Sequence, residues 1–234
     1  SLLPNGQVLV AGGHLNFGSA INSAAIYTPG AGTWAATASM SAARTLHTAT
    51  ILPNGSVLVV GGGEPDAGPA LATCETFSYA GASWSATGSL GTARNRPTTL
   101  LLPNGKVLAA GGYDGAAIRN VVEMYDPQTG IWTPANSMIT ARSPGDPTQY
   151  SLLPNGKVLV AGGQGSAFVS IADAELFDSA TGTWTSTNPM SVARQQYGIA
   201  LLRNGRVLVA GGHDGGSSPR VHYSSAELYD PQTG

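Results

Sequence analysis

The stretch Leu152-Leu153-Pro154-Asn155-Gly156-Lys157-Val158-Leu159-Val160-Ala161-Gly162-Gly163 decides the fold, because the chain writes it five times with small changes. Its turn phrase stands at Pro4-Asn5-Gly6, Pro53-Asn54-Gly55, Pro103-Asn104-Gly105, Pro154-Asn155-Gly156 and, varied, Arg203-Asn204-Gly205, with glycine-to-glycine steps of 49, 50, 51 and 49 residues. The glycine pairs Gly12-Gly13, Gly61-Gly62, Gly111-Gly112, Gly162-Gly163 and Gly211-Gly212 keep the same steps. Working outward, an aromatic recurs at Tyr27, Phe77, Tyr125, Phe177 and Tyr229, a tryptophan at Trp34, Trp84, Trp132 and Trp184, and an arginine at Arg44, Arg94, Arg142 and Arg194. Five markers held in one phase define an internal repeat, with units at approximately 1–43, 44–93, 94–141, 142–193 and 194–234 of a single domain.

Each unit reads as four short strands. Thr48 to Leu52 is β-branched and apolar and runs into Pro53-Asn54-Gly55, a type I turn with proline at its second position and a glycine of positive φ at its fourth. Val57-Leu58-Val59-Val60 is continuously apolar, as a strand covered on both faces should be. The glycine pair that follows permits a sharp exit or a close backbone approach. The third strand alternates, as in Ala174-Glu175-Leu176-Phe177-Asp178, and is expected to keep one polar face. The fourth, Gly182-Thr183-Trp184-Thr185, is short. Helical periodicity is missing throughout, so the fold class is all-β. A lone four-stranded sheet cannot bury both faces, and stacking the units side by side supplies the missing cover.

The combination at 152–163, Ala174 to Asp178, Trp184 and Ala193-Arg194 resembles a kelch repeat, the bacterial and galactose-oxidase-type variety in particular, over essentially the whole chain. The resemblance implies a β-propeller of four-stranded blades with the strand after the arginine nearest the central channel. The chain holds four complete units and most of a fifth, whereas kelch propellers usually have six or seven blades. A five-bladed ring, a fragment and a part of a longer protein all fit that count. An open arc exposes strand edges and apolar faces, which favours closure of the chain on itself or self-association with another copy.

Composition narrows the function classes. Charged residues are only 10 % of the 234 and the net charge is −2, without the basic stripe that nucleic-acid binding needs. No apolar run reaches the roughly 18 residues of a membrane-spanning helix, and the start does not look like a signal peptide. Hydrophobic residues at 42 % can bury a core. Scarce lysine (Lys106 and Lys157 only) with abundant Ala, Ser, Thr and Gly leans toward a secreted or cell-surface protein.

The repeated side chains read as structural. The tryptophans form a packing series. Glutamates recur at Glu75, Glu123, Glu175 and Glu227, each 29 to 33 residues after a repeat arginine, and the first unit lacks the arginine and has Ala25 at the glutamate position. The joint absence predicts ion pairs Arg44–Glu75, Arg94–Glu123, Arg142–Glu175 and Arg194–Glu227, within or between units, that hold first strand against third.

Specificity is expected in the loops, which vary. One set follows the glycine pairs, at 14–22, 63–71, 113–120, 164–170 and 213–223; the other follows the arginines, at 45–47, 95–97, 143–149 and 195–197. In protein-binding kelch proteins the position two after the arginine often lines the channel mouth, which by resemblance places Leu46, Arg96, Pro144 and Gln196 there, with Arg96 the one cation. Among the post-glycine loops, Tyr113-Asp114-Gly115 and His213-Asp214-Gly215 share a pattern, and His14, Glu64, Asp66 and His222 add polar groups. These residues read either as a polar site for a sugar or cation or as plain Asp-Gly turn formers. Three histidines without a close-spaced pair make a poor metal site.

Galactose oxidase raises an enzyme reading, whose copper site needs two tyrosines and two histidines, one tyrosine being cross-linked to a cysteine. The sole cysteine, Cys74, precedes Glu75 in a regular third strand, where a small packed side chain is expected, and His222-Tyr223 is the only adjacent His-Tyr pair. No catalytic residue, metal or cofactor is assigned. The expected role is a non-catalytic scaffold that binds a protein partner on its loop face, with a carbohydrate-binding module as the alternative and a galactose-oxidase-like copper enzyme fragment as the third reading.

Overall fold

A computed structural model describes residues 1–15, 18–64, 69–143, 150–216 and 219–234. These residues form antiparallel sheets and no helix. The first sheet joins β1 (Val8–Ala11), β2 (Ala24–Thr28) and β3 (Thr33–Thr37); the second joins β4 (Thr48–Ile51), β5 (Val57–Val60), β6 (Cys74–Ser78) and β7 (Ser83–Thr87). The third holds β8 (Thr98–Leu101), β9 (Val107–Ala110), β10 (Val122–Asp126) and β11 (Ile131–Ala135). A two-residue pair, β12 (Arg142–Ser143) with β15 (Gln164–Gly165), lies beside the fourth sheet of β13 (Tyr150–Leu152), β14 (Val158–Ala161), β16 (Ala174–Asp178) and β17 (Thr183–Thr187). The fifth holds β18 (Gly198–Leu201), β19 (Val207–Ala210) and β20 (Ala226–Tyr229). In every four-stranded sheet the strands lie in sequence order from inside to outside, and the inner strands of neighbouring sheets approach one another, with Thr50 Oγ1 2.6 Å from Thr99 Oγ1.

The turn phrase folds as its residues dictate. Gly55 donates its N–H to Leu52 C=O at 2.9 Å, Gly55 takes φ +82°, and Asn54 Oδ1 accepts the Ser56 N–H at 3.0 Å. Each tryptophan sits on an outer strand and tilts against the third-strand aromatic of its own sheet, with ring centroids 5.0 Å apart for Tyr27–Trp34 and Phe77–Trp84, 5.1 Å for Tyr125–Trp132 and 4.9 Å for Phe177–Trp184. Trp84 and Trp184 also donate Nε1–H to the main-chain carbonyls of Ala38 and Asn136 in the preceding connection. The series is therefore one of separate cross-strand pairs.

The apolar second strand explains the stacking, because successive side chains point to opposite faces. Leu9, Leu58, Leu108 and Leu159 enter the core shared with the following sheet, while Val57, Val107, Val158 and Val207 enter the core shared with the preceding one. Four buried clusters thus join sheets one to two, two to three, three to four and four to five. Among the described residues no cluster joins sheet five to sheet one, and the outward side chains Val10 and Leu228 are 49 % and 55 % exposed. Closure of this chain on itself, expected from the edge argument, is corrected by these faces. The alternating packing runs in one direction, so each end of the row keeps one uncovered side.

The third strand departs from its expected polar face. Glu75, Glu123 and Glu175 are buried, and the burial has a partner for every charge. Arg44 Nη2 lies 2.8 Å from Glu75 Oε1, Arg142 Nη2 2.6 Å from Glu175 Oε1 and Arg194 Nη2 2.8 Å from Glu227 Oε1, and Arg94 pairs with Glu123. Each arginine Nη1 also donates to two carbonyls of its own sheet, those of Gly61 and Thr73 in the case of Arg44. The second carboxylate oxygen accepts a main-chain N–H from the connection ahead of the arginine: Ser41 to Glu75, Gly91 to Glu123, Ile139 to Glu175 and Ser191 to Glu227. Pairing is within a sheet, and the glutamate extends it to the connection. A buried ion is tolerated when it is paired and hydrogen-bonded in this way; the Nη groups carry these bonds, while the buried Nε of Arg44, Arg142 and Arg194 has no acceptor.

Two outcomes follow for stability. Breaking such a pair on one side leaves an uncompensated buried charge, so Glu75→Ala is expected to lower the urea unfolding free energy by about 3–5 kcal/mol. Burial opposes ionisation of Glu75, but the N–H groups of Ser41 and Ala42 and the Arg44 guanidinium outweigh it and hold the carboxyl below its usual range. A carboxylate depressed in the folded state stabilises above its unfolded pKa of about 4.3, and that contribution disappears as pH falls through the folded value. The urea-midpoint gap between wild type and Glu75→Gln should be full at neutral pH and shrink steadily below about pH 4.3; a gap that stays constant on acidification contradicts the pairing as the source.

Candidate functional site

The loops after the glycine pairs and the loops after the arginines converge on one edge of the sheets. They are tied within each sheet by paired main-chain bonds: Thr45 to Gly63, Asn95 to Tyr113, Arg142–Ser143 to Gln164–Gly165 and Gln195 to His213. The two surfaces read from the sequence are therefore a single face, ringed around the ends of the inner strands. The reason is local. A residue in extended conformation after each arginine lies antiparallel to the residue after each glycine pair.

The predicted ligand residues are spread around this face and mostly serve the loops themselves. Asp114 Oδ1 accepts the N–H groups of Ala116 and Ala117 at 2.9 and 2.8 Å, and its Oδ2 pairs with Arg119. Burial works against ionisation of Asp114, yet these donors prevail and hold its carboxyl below the usual range. The N–H groups of Gly216 and Val221 do the same for Asp214, Gly216 foremost. Glu64 Oε2 accepts the Ala20 N–H of the first sheet's loop at 2.8 Å. Tyr113 donates its hydroxyl to Gly115 C=O at 2.8 Å and sets its ring edge-on to Phe168 of the next loop, 5.8 Å between centroids. His14 is exposed and bridges to Ala20. Asp66 and Pro144 lie outside the described residues.

At the centre of the face the position two after each arginine behaves alike in three sheets. Leu46, Arg96 and Gln196 take φ of +56°, +49° and +53°, a left-handed conformation that costs a non-glycine residue roughly 1–2 kcal/mol. The Arg96 N–H donates to Leu46 C=O at 2.7 Å, which links the second and third sheets at the mouth. Arg96 makes no ion pair among the described residues, and its Nε is buried without an acceptor, as are His47 Nδ1 and Thr48 Oγ1 without partners. Burial, with the nearby Arg44 charge second, pushes the His47 pKa down to about 4, so this ring is neutral. His213 is buried, accepts the Gly215 N–H at Nδ1 (3.0 Å) and faces Gln196 Oε1 with Nε2 at 2.8 Å, an arrangement that places its proton on Nε2. The resemblance named Leu46, Arg96 and Gln196 together at the channel mouth; the left-handed backbone that they share has no signature in composition or spacing.

The copper constellation does not fit. Cys74 is buried in the core between sheets two and three, where burial raises its thiol pKa to about 11. His213 and His222 stand in the fifth sheet's loop, 5.7 Å apart between ring centroids. Tyr223 lies under Arg194, whose Cζ is 5.3 Å from the ring centroid. Among the described residues no three His, Cys, Asp or Glu side chains gather in a metal-binding group.

Residues 95–139 match the kelch motif. No curated protein matches the sequence. Among solved structures, one of YjhT aligns with a TM-score of 0.71 at 14 % identity, over 94 % of this chain and 81 % of that one. A novel fungal alcohol oxidase with catalytic diversity among the AA5 family, in complex with copper, aligns with a TM-score of 0.56 at 16 % identity; the match takes in 93 % of this chain and only 58 % of the oxidase. Likeness at these identities is one of fold. With the motif at residues 95–139, the sheet order and the alternating inter-sheet cores taken together, the chain has the fold of a kelch-type β-propeller.

Proposed function

We propose that the chain is a non-catalytic scaffold that holds a protein partner on its loop face, centred on Leu46, Arg96 and Gln196. The observation that carries this reading is the repeated left-handed backbone at those three positions. Strain kept in three sheets at the same place supports a presented surface. The groups offered there suit a protein: an apolar side chain, a guanidinium with no internal carboxylate and an amide. Arginine of this kind is typical of binding hot spots. The carboxylates that would accept from sugar hydroxyls, Asp114, Asp214 and Glu64, already accept main-chain N–H groups, which favours the protein reading over the sugar one.

The test compares wild type with Leu46→Asp and Arg96→Ala by capture from a lysate, in parallel with a glycan array. A single protein retained by wild type and weakened about tenfold or more by both variants, with unchanged thermal unfolding, is the expected result. Saturable glycan binding, or capture indifferent to both substitutions, overturns it. So does stoichiometric copper uptake with alcohol oxidation.

The His213–Gln196 contact adds a pH dependence. Burial, followed by the Arg220 and His222 charges, lowers the His213 pKa below its usual value while Asp214 acts the other way. A histidine depressed in the folded state favours the folded loop above its unfolded pKa of about 6.5 and loses that contribution as pH falls. Imidazole titration followed by NMR should place His213 below 6.5, with the Gly215 amide signal moving in the same step.

A further inference from the structure

The edge of the sheets opposite the loop face is lined by the turn phrases, and consecutive turns leave grooves between them. Two of these grooves share one plan and one volume, about 650 Å³. One runs from Pro53-Asn54 of the second sheet to Asn104, Lys106 and Asp126 of the third; the other runs from Pro154-Asn155 of the fourth to Asn204, Arg206 and Asp230 of the fifth. Between the first and second sheets the corresponding space is taken by side chains. A Cβ on Gly55 would stand 3.0 Å from Pro4 Cγ and 3.4 Å from Tyr79 Cε1, whereas one on Gly105 would meet only Pro53 Cγ at 3.9 Å and one on Gly205 only Pro154 Cγ at 3.5 Å. The groove between sheets two and three lies inside the row, so the open space comes from the turns themselves.

One residue sets the two grooves apart in charge. Arg203 stands in the fifth sheet where the other four turn phrases carry Pro4, Pro53, Pro103 and Pro154. The turn itself is unaltered: Gly205 donates its N–H to Leu202 C=O at 2.9 Å and takes φ +82°, as Gly55 does toward Leu52. The turn thus forms with either residue, and what Arg203 adds is a cation. It lines the groove, is exposed and makes no ion pair among the described residues. In the matching groove Lys106 is offset by Asp126 at 3.4 Å, whereas the groove at Arg203 holds two guanidinium groups and one carboxylate. The other polar atoms sort into used acceptors and unused donors. Asn155 Oδ1 accepts the Lys157 N–H and Asn204 Oδ1 the Arg206 N–H, each at 3.1 Å, and Asp230 Oδ1 accepts the Gln232 N–H at 3.0 Å. Arg206 uses Nε and Nη2 on Asp230 Oδ2, at 3.0 Å each. Left over among the described residues are the Arg203 guanidinium, Arg206 Nη1 and the Nδ2 groups of Asn155 and Asn204, all of them donors.

We propose that the groove between the turns of the fourth and fifth sheets binds a tetrahedral oxyanion, the phosphate or sulfate group of a free ion or of a small ester, and that Arg203 is the residue that makes it a site. A ligand that completes these donors must accept in several directions at once. A carboxylate matches the planar fork of a single arginine, whereas a tetrahedral oxyanion turns oxygens toward donors that come from two separate turns. The groove exceeds the size of a bare ion and lies within the ordinary range of small-molecule pockets, about 300–1,000 Å³. Pro154 and Pro231 line it as apolar walls for the organic part of an ester. The site shares no residue with the loop face, so either reading can fail without the other.

Titration of the full chain with inorganic phosphate, inorganic sulfate, phenyl phosphate and phenyl sulfate, followed by NMR, tests it, with phenol as the uncharged control. Saturable binding at a single site is expected, moving the Gly205 amide and the side-chain amides of Asn155 and Asn204. Tighter binding of the esters than of the ions makes an organic molecule the source, equal binding makes it the free ion, and both support the site. Arg203→Pro, which writes the turn as the other sheets have it, and Arg203→Gln should each weaken binding about tenfold or more with unchanged thermal unfolding, while Lys106→Gln in the matching groove leaves it as it was. The proposal is overturned if no anion gives saturable shifts at about 10 mM, if affinity is indifferent to both Arg203 substitutions, if Lys106→Gln weakens binding as much as Arg203→Gln, or if phenol binds as well as phenyl phosphate.

Discussion

The buried arginine–glutamate pair is the interaction on which the rest of the structure depends. Four short strands give a sheet too small to hold its own connections in place, and hydrophobic contact between sheets has little directional preference. The guanidinium supplies direction. In the second sheet Arg44 reaches the carbonyls of Gly61 and Thr73 and the carboxylate of Glu75, while Glu75 returns to the N–H of Ser41 in the incoming connection. One ion pair thereby fixes the entry to the sheet, the exit of its second strand and its third strand together. Because both Nη groups of Arg44 and both carboxylate oxygens of Glu75 are held by specific partners, sliding the connection by one residue would strand charge in an apolar interior.

That constraint also explains why the loop face can be variable. Once each connection is locked beneath it, the loops need only join end to end, and they do so sheet by sheet: Glu64 to Ala20, Arg96 to Leu46, Tyr113 against Phe168, Ser170 to the carbonyl of His213. Carboxylates that looked like ligand groups are consumed in these ties. What remains presented is the central set at the inner strand ends, where the backbone is strained and polar atoms lack internal partners.

The repeat, the strand count in each unit, the turn type and the pairing of Arg44 with Glu75 were all legible in the residues, because each follows from a local rule repeated at a fixed interval. Proline, asparagine and glycine dictate the turn at Leu52 to Gly55, and Val57 to Val60 is apolar throughout because it faces two neighbours. The site was much less legible. Asp114 and Asp214 have the same composition whether they bind a ligand or cap a loop, and only the positions of the Ala116, Ala117 and Gly216 N–H groups decide the matter.

What the sequence determined by itself is the unit and its internal chemistry, since every partner in a unit lies within about one repeat length and in a fixed phase. Only the tertiary structure decided how units meet: that two families of loops form one face, that alternate side chains of one strand serve two different cores, and that the row ends in an uncovered side at Leu208 and Leu228. The physical reason is that contacts across sheets depend on side-chain direction and backbone conformation, as at Leu46, Arg96 and Gln196, and neither quantity is written in residue identity alone.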